Sequence, residues 1–226
     1  MIHLYLIRHA QSYNNALDDV RRRVCDPPLT ELGHRQAERL AHYLSGQPLC
    51  GNGQHMRLVC SPMLRALQTA RYVQQAVGVT PEVWIDVHEH GGIYLDNWEQ
   101  GSRFGCPGMT RSQMLEQFPD YLLPAEITDQ GWWRGGFEEL WDCQARAIKV
   151  ANALRQSVAG DECLIVISHA TFLSCLLKAL FDLLPAEQVW FSHRNTGISH
   201  LHVDGECRLS TRYLNRISHL PPQLVT

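Results

Sequence analysis

Apolar positions along this chain alternate between a strand-like and a helix-like rhythm. Residues 2–7 are almost continuously apolar, which predicts a strand covered on both faces. A polar stretch ends at Asp26-Pro27-Pro28. Thr30 then offers a helix cap, and Ala37, Leu40, Ala41 and Leu44 follow at helical spacing with Gly33 inside. After a Gly-rich connection over 46–54 comes a second short strand, 56–60. Ser61-Pro62 predicts an N-cap with proline at the first helical position, opening a helix to about Val77 with Ala66, Ala70, Val73 and Val77 on one stripe. Residues 83–87 form a third predicted strand. From 91 to about 137 the periodicity fails, apart from one short helix over 110–118 closed by Pro119. A long irregular segment inside a compact domain reads as a functional insertion, often a lid. Regular patterning resumes with a helix over 138–158 and a buried strand over 164–167. Another helix then runs from His169-Ala170 to near Leu184-Pro185. Strands 198–203 and 208–213, split by Asp204-Gly205, predict a hairpin. This alternation places the chain in the α/β class, as three layers (α/β/α) around a mostly parallel central sheet. One domain over 1–226 with a cap insertion at about 91–137 is expected.

Composition narrows the function classes. A net charge of -3 argues against nucleic-acid and membrane-surface partners. Only Lys149 and Lys178 are lysines, so Arg supplies nearly all the positive charge; Arg suits bidentate oxyanion contacts, although genomic base composition explains the bias at least as well. The eight cysteines are scattered, with no C-x-x-C spacing. Cys60, Cys163 and Cys175 lie in apolar runs and read as small buried hydrophobes. With no leader-like start, a reducing cytoplasm is the expected compartment. No stretch approaches the ~18 apolar residues of a membrane span.

Each main strand is followed by a chemically loaded residue. The first ends at Arg8-His9, the second precedes Ser61 and Arg65, the third precedes Glu89, and the fourth ends at Ser168-His169. In a parallel sheet these ends share one edge, where open α/β folds collect ligands. An arginine pair, two histidines and a carboxylate can therefore meet in one pocket. Arg65 would stand in the first turn of its helix, where the macrodipole disfavours a cation unless an anion is held there. Taken singly, each of these residues has an ordinary structural reading, such as a core histidine or a surface ion pair. The H-x-H pairs His88/His90 and His200/His202 also suggest metal, since that spacing in a strand puts both rings on one face. No carboxylate or cysteine completes a ligand set at fixed spacing, so no metal or cofactor is expected.

Several motifs resemble the histidine phosphatase superfamily, the branch that includes phosphoglycerate mutases and many small phosphatases. They are L-I-R-H-A at 6–10, Asn15, D-P-P-L-T-E-L-G-H-R-Q-A at 26–37, S-P-M-L-R-A-L-Q-T-A at 61–70, Glu89, and V-I-S-H-A at 166–170. They occur in family order across most of the chain; 91–137 and the C-terminal tail match nothing. The resemblance implies a phosphoglycerate mutase-like fold with His9 as nucleophile. It also implies that Arg8, Asn15, Arg65 and His169 grip the phosphoryl oxygens, and that Glu89 is the general acid and base. Two arginines and His169 would take the electrostatic place of a metal. The context of Glu89, V-H-E-H-G-G, departs from the common pattern, and Asp86 and Glu99 are alternative acids.

The expected activity is hydrolysis of a small phosphate ester through a phosphohistidine. The alternative is a phosphoglycerate mutase. Mutases usually carry N-E-R-x-Y-G around the acid, whereas this chain has neither the Asn nor the Arg, and its insertion has no lysine. Trp98, Phe104, Trp132 and Trp133 offer stacking surfaces, and Arg103, Arg111 and Arg134 offer anion contacts, unless they serve to pack the insertion.

Overall fold

A computed structural model describes residues 2–49, 55–156, 162–206 and 208–226. In chain order its elements are β1 (Ile2–Arg8), α1 (Glu31–Ser45), β2 (His55–Cys60), α2 (Leu64–Val77) and β3 (Pro81–Val83). Then come β4 (Tyr94–Asn97), β5 (Ser102–Gly105), α3 (Arg111–Gln117) and α4 (Leu140–Gln156). The chain finishes with β6 (Glu162–Ser168), α5 (Ala170–Leu180), β7 (Ile198–Val203) and β8 (Leu209–Arg216). The central sheet has six strands in the order β3-β2-β6-β1-β7-β8. β3, β2, β6 and β1 run parallel; β7 and β8 are antiparallel.

The apolar run of β1 alternates between two cores. Tyr5 and Ile7 pack with Leu40 and Leu44 of α1 and Ala66, Leu67 and Ala70 of α2. Ile2, Leu4 and Leu6 face Ala147, Val150 and Leu154 of α4 and Phe172 and Leu176 of α5. Burying each such large side chain contributes about 1.5–3 kcal/mol. Both faces of the sheet are thus covered, and the strand ends are left as the accessible edge.

Thr30 caps α1 as expected, accepting the Gly33 N–H at 3.0 Å. Gly33 is required by close approach: a Cβ there would lie 2.1 Å from the Gln11 carbonyl oxygen. The loop that follows β1 therefore rests directly on α1.

Several expectations need correction. The third strand stops at Val83, because the Trp84 N–H takes the last ladder bond to the Cys60 carbonyl at 2.9 Å and a 3-10 turn at Ile85–Val87 follows. Ser61 is not the cap of α2. The cap position is Met63, and the Asp26 carboxylate, from a distant segment, accepts the Leu64 N–H at 3.0 Å. The segment 91–137 holds a hairpin, β4–β5, that no periodicity announced, beside the expected short helix. α5 stops at Leu180, and Asp182 turns into the left-handed region at φ 54. Two of the scattered cysteines are paired: Cys25 is bonded to Cys106, tying the segment after β1 to 91–137. Among the described residues, Cys60, Cys143, Cys163 and Cys175 are buried. Cys50, Cys207, most of the 46–54 connection's far end and the last turn expected at 157–158 lie outside the described residues. Among the described residues, no helix is long and apolar enough to cross a membrane.

Candidate active site

Arg8 and His9 leave β1 beside the end of β6: the His9 N–H bonds to the Ser168 carbonyl at 2.9 Å. A cavity of about 250 Å³ opens there, lined in part by Arg8, His9, Asn15, Arg65 and Glu89. Five of the six predicted site residues therefore meet at one edge. His169 lies just behind, with its ring centroid 4.9 Å from that of His9.

The hydrogen bonds of His9 set its tautomer. Arg65 Nε, which can only donate, points at His9 Nε2 at 3.2 Å. The proton therefore resides on Nδ1, which donates to the Ala10 carbonyl at 2.6 Å. Nε2 keeps its lone pair, which accepts from Arg65. Burial, then Arg65 and Arg8, hold the imidazole well below its ordinary range, against the Ala10 carbonyl, which favours the proton. His169 is lowered in the same way by burial, Arg65 and His9. Its Nε2 sits 2.8 Å from the Ser61 hydroxyl, and its buried Nδ1 has no protein partner.

These depressed values have a direction. Below the unfolded value near 6.5 the unfolded chain takes up protons that folded His9 and His169 refuse. Their contribution to stability is complete above pH 6.5 and declines as pH falls through that window toward the folded values. Imidazole nitrogen NMR should find His9 as the neutral Nδ1–H tautomer through pH 6.5; a midpoint at or above that value contradicts the geometry.

Arg65 occupies the first turn of α2, and its side chain is only 12% exposed. The helix-dipole conflict is relieved by a residue that sequence reasoning passed over. Asp26 lies 3.7 Å from Arg65 Nη1 and accepts the Leu64 N–H. Burial pushes its carboxyl up to about 6 against the pull of Arg65 and that N–H. The signal was present, since Asp26 opens the D-P-P-L-T motif. Arg8 is aimed by a bond from Nη1 to the His193 carbonyl at 2.8 Å, and its Nε is buried without a protein partner. Asn15 accepts from the Ser12 N–H and hydroxyl at 3.2 Å through its carbonyl oxygen, which leaves the amide N–H₂ for a ligand. Asn195, also unforeseen, donates to the His9 carbonyl at 2.9 Å, and Thr226 donates to Asn195 in turn.

Glu89 accepts the Phe172 and His90 N–H groups at 2.9 Å and the Thr171 N–H at 3.3 Å, at the N-terminus of α5. Its approach loop is clamped by Arg146, which donates to the Asp86 and His88 carbonyls at 2.8 and 3.0 Å. Arg146 is itself held by the buried Glu138 at 2.6 Å. Neither alternative acid shares the cavity lining: Asp86 pairs with Lys149 at 2.7 Å outside it, and Glu99 is exposed in the β4–β5 turn.

The insertion side chains mostly turn out to be packing groups. Trp132 is buried and contacts the His88 ring, and Trp133 covers Gly92. Arg111 bonds the Pro124 carbonyl, Arg134 the Thr128 hydroxyl and Arg103 the Asp96 carboxylate. Trp98 and Phe104 are exposed. The cavity rim is instead built by Arg23 and Tyr94, linked at 3.3 Å. Chemically, the arrangement offers an unprotonated ring nitrogen, two guanidinium groups and a carboxylate around one small space.

The sequence model of the histidine phosphatase superfamily (branch 1) matches residues 4–216. A probable phosphoglycerate mutase, GpmB, of Yersinia pestis (strain Pestoides F) is 26% identical over 201 residues, covering 89% of this chain and 85% of that protein. Bacillus stearothermophilus YhfR has the same fold at a TM-score of 0.61 and 22% identity, covering 97% of this chain and 99% of its own. So does the mycobacterial glucosyl-3-phosphoglycerate phosphatase, at a TM-score of 0.58 and 23% identity over 94% and 98% of the two chains.

Proposed function

Because the chain belongs to the histidine phosphatase superfamily, branch 1, we propose that it hydrolyses the phosphomonoester of a small metabolite through a phosphohistidine at His9. The observation that carries this reading is the tautomer of His9, whose Nε2 lone pair stands beside Arg65 at 3.2 Å. In the first step Nε2 attacks phosphorus, the P–N bond forms and the P–O ester bond breaks. Glu89 gives its proton to the leaving oxygen. In the second step Glu89 takes a proton from water as that water attacks phosphorus; the P–N bond breaks, and His9 and inorganic phosphate are released. Arg8, Arg65, Asn15 and His169 stabilise the charge spread over the equatorial oxygens. With two guanidinium groups in that role, turnover needs no metal ion at the phosphate. Residues 91–137 act as the cap of a single domain, and a reducing compartment suits buried thiols such as Cys60, Cys143 and Cys175 better than it suits the Cys25–Cys106 bond.

Turnover of p-nitrophenyl phosphate in excess chelator, followed by a screen of metabolite phosphates, tests the proposal. Release of inorganic phosphate is the expected product. Conversion of one phosphoglycerate isomer to another, without release, would assign the chain to the mutases instead.

The acid role is checked separately. Glu89→Gln should slow an alkyl phosphate far more than an aryl phosphate, because only the alkoxide needs a proton to leave. The comparison is kcat/KM for both substrates, with Asp86→Asn and Glu99→Gln alongside. Equal losses on the two substrates would make Glu89 a positioning group for α5.

A further inference from the structure

Away from the His9 cavity, three histidines converge on one face of the sheet. β1 and β7 are antiparallel, with His3 opposite His202 and Tyr5 opposite His200. Alternate residues of a strand share a face, so His3, His200 and His202 project to the same side. We propose that these three residues form a metal site that takes one divalent transition-metal ion of the zinc type.

The spacing supports this directly. His3 Nδ1 lies 3.3 Å from His200 Nε2 and 3.0 Å from His202 Nε2, and the three ligating nitrogens all lie within 4.8 Å of one another. Two nitrogens each bound to zinc at 2.0–2.1 Å with a tetrahedral angle are about 3.3–3.4 Å apart. The side chains therefore stand close to a ligand set with no backbone movement. Hydrogen bonding alone explains the cluster poorly. A ring nitrogen has one in-plane lone pair, yet two partner nitrogens approach the same His3 Nδ1. A cation between the rings uses one lone pair from each.

The surroundings keep the ligands available. The Tyr5 ring stacks on His200 at 4.1 Å and is fixed by its hydroxyl bond to the Leu49 carbonyl at 2.8 Å. An all-imidazole set suits zinc, copper, nickel or iron rather than magnesium or calcium. His3 and His202 are half-buried, which leaves an entry path and a fourth position for water. The sequence hid the site because its third ligand comes from β1, far from the H-x-H pair.

One neighbour opposes binding and sharpens the test. Arg212 Nη2 lies 3.1 Å from His202 Nδ1, so that nitrogen accepts and Nε2 carries the proton. Ligation through Nε2 moves the proton to Nδ1, where it faces a donor, and Arg212 must swing away. Arg212→Gln replaces the donor with a group that can accept, and an acceptor on the ligand's other ring nitrogen is worth about 10–100-fold in metal affinity.

Protein without a histidine tag is stripped with EDTA and titrated with Co²⁺ and Zn²⁺. One equivalent per chain is expected, with visible cobalt bands and a raised Tm. His3→Gln and His202→Gln should each weaken binding at least ~10-fold, while His9→Gln and His90→Gln keep the full equivalent. Arg212→Gln should bind more tightly; the side chain is exposed, so this arm holds even if a ligand variant fails to fold. Absence of the equivalent in the parent, its survival in the ligand variants, or unchanged affinity in Arg212→Gln would each overturn the site.

Discussion

His9→Ala should lower kcat/KM toward phosphate esters by about 10⁴-fold or more, the scale of deleting a nucleophile. It should also abolish the acid-labile, base-stable label that a phosphorylated substrate leaves on the parent. Both effects follow from one atom. Nε2 is the ring nitrogen of His9 that carries a lone pair, aligned by the Arg65 N–H at 3.2 Å, because Nδ1 holds the proton and donates it to the Ala10 carbonyl at 2.6 Å. No other side chain on the cavity lining supplies a nitrogen nucleophile aligned by a guanidinium. His90, the other histidine there, instead sets its ring edge-on to Phe137, with centroids 5.5 Å apart. The fold should survive the change, since the backbone bonds from His9 to Ser168 and from Asn195 to His9 do not involve the imidazole. Mass spectrometry of protein quenched during turnover locates the phosphoryl group. A label retained in the alanine variant would mean that another residue carries it.

Arg65→Ala should cost about 2–4 kcal/mol of transition-state stabilisation, roughly 30- to 1000-fold in kcat/KM, as for loss of one oxyanion contact. Arg8→Ala should fall in the same range. The two differ in what they leave behind. Removing Arg65 strands Asp26, a buried carboxylate already raised to about 6, so this variant should lose stability as well as rate. The double change Arg65→Ala with Asp26→Asn should recover stability but not activity. Among the described residues the Arg8 side chain hydrogen-bonds only a backbone carbonyl, so its loss should leave Tm nearly unchanged. Vanadate should raise the Tm of the parent well above its effect on either arginine variant. Equal stabilisation of all three proteins would place the anion elsewhere.

Much of this architecture is written in local pattern. The apolar run at the start of the chain, the Thr30 cap and the apolar stretch before His169 each encode an element whose residues interact with near neighbours. Such signals survive without knowing the fold. The ordering of loaded residues behind successive strands was enough to bring Arg8, His9, Arg65 and Glu89 to one edge, because a parallel sheet aligns its strand ends by construction. The insertion behaved differently. Its hairpin is short, exposed along β5 and weakly patterned, so its pairing depends on contacts with Phe137 and Gly136 rather than on period.

The partners of the site residues were decided in three dimensions. Asp26 caps a helix that begins 38 residues later, Asn195 reaches His9 across 186 residues, and Cys25 finds Cys106 across 81. Nothing in local sequence ranks such pairs, because each becomes favourable only once the sheet has paid the entropy of bringing distant segments together. The same holds for His3, which joins His200 and His202 only through the antiparallel register of β1 and β7. Sequence by itself determined which groups can do chemistry and on which edge they stand. Tertiary structure decided their protonation and aim, because burial and charge at a few ångströms depend on neighbours that the chain order does not reveal.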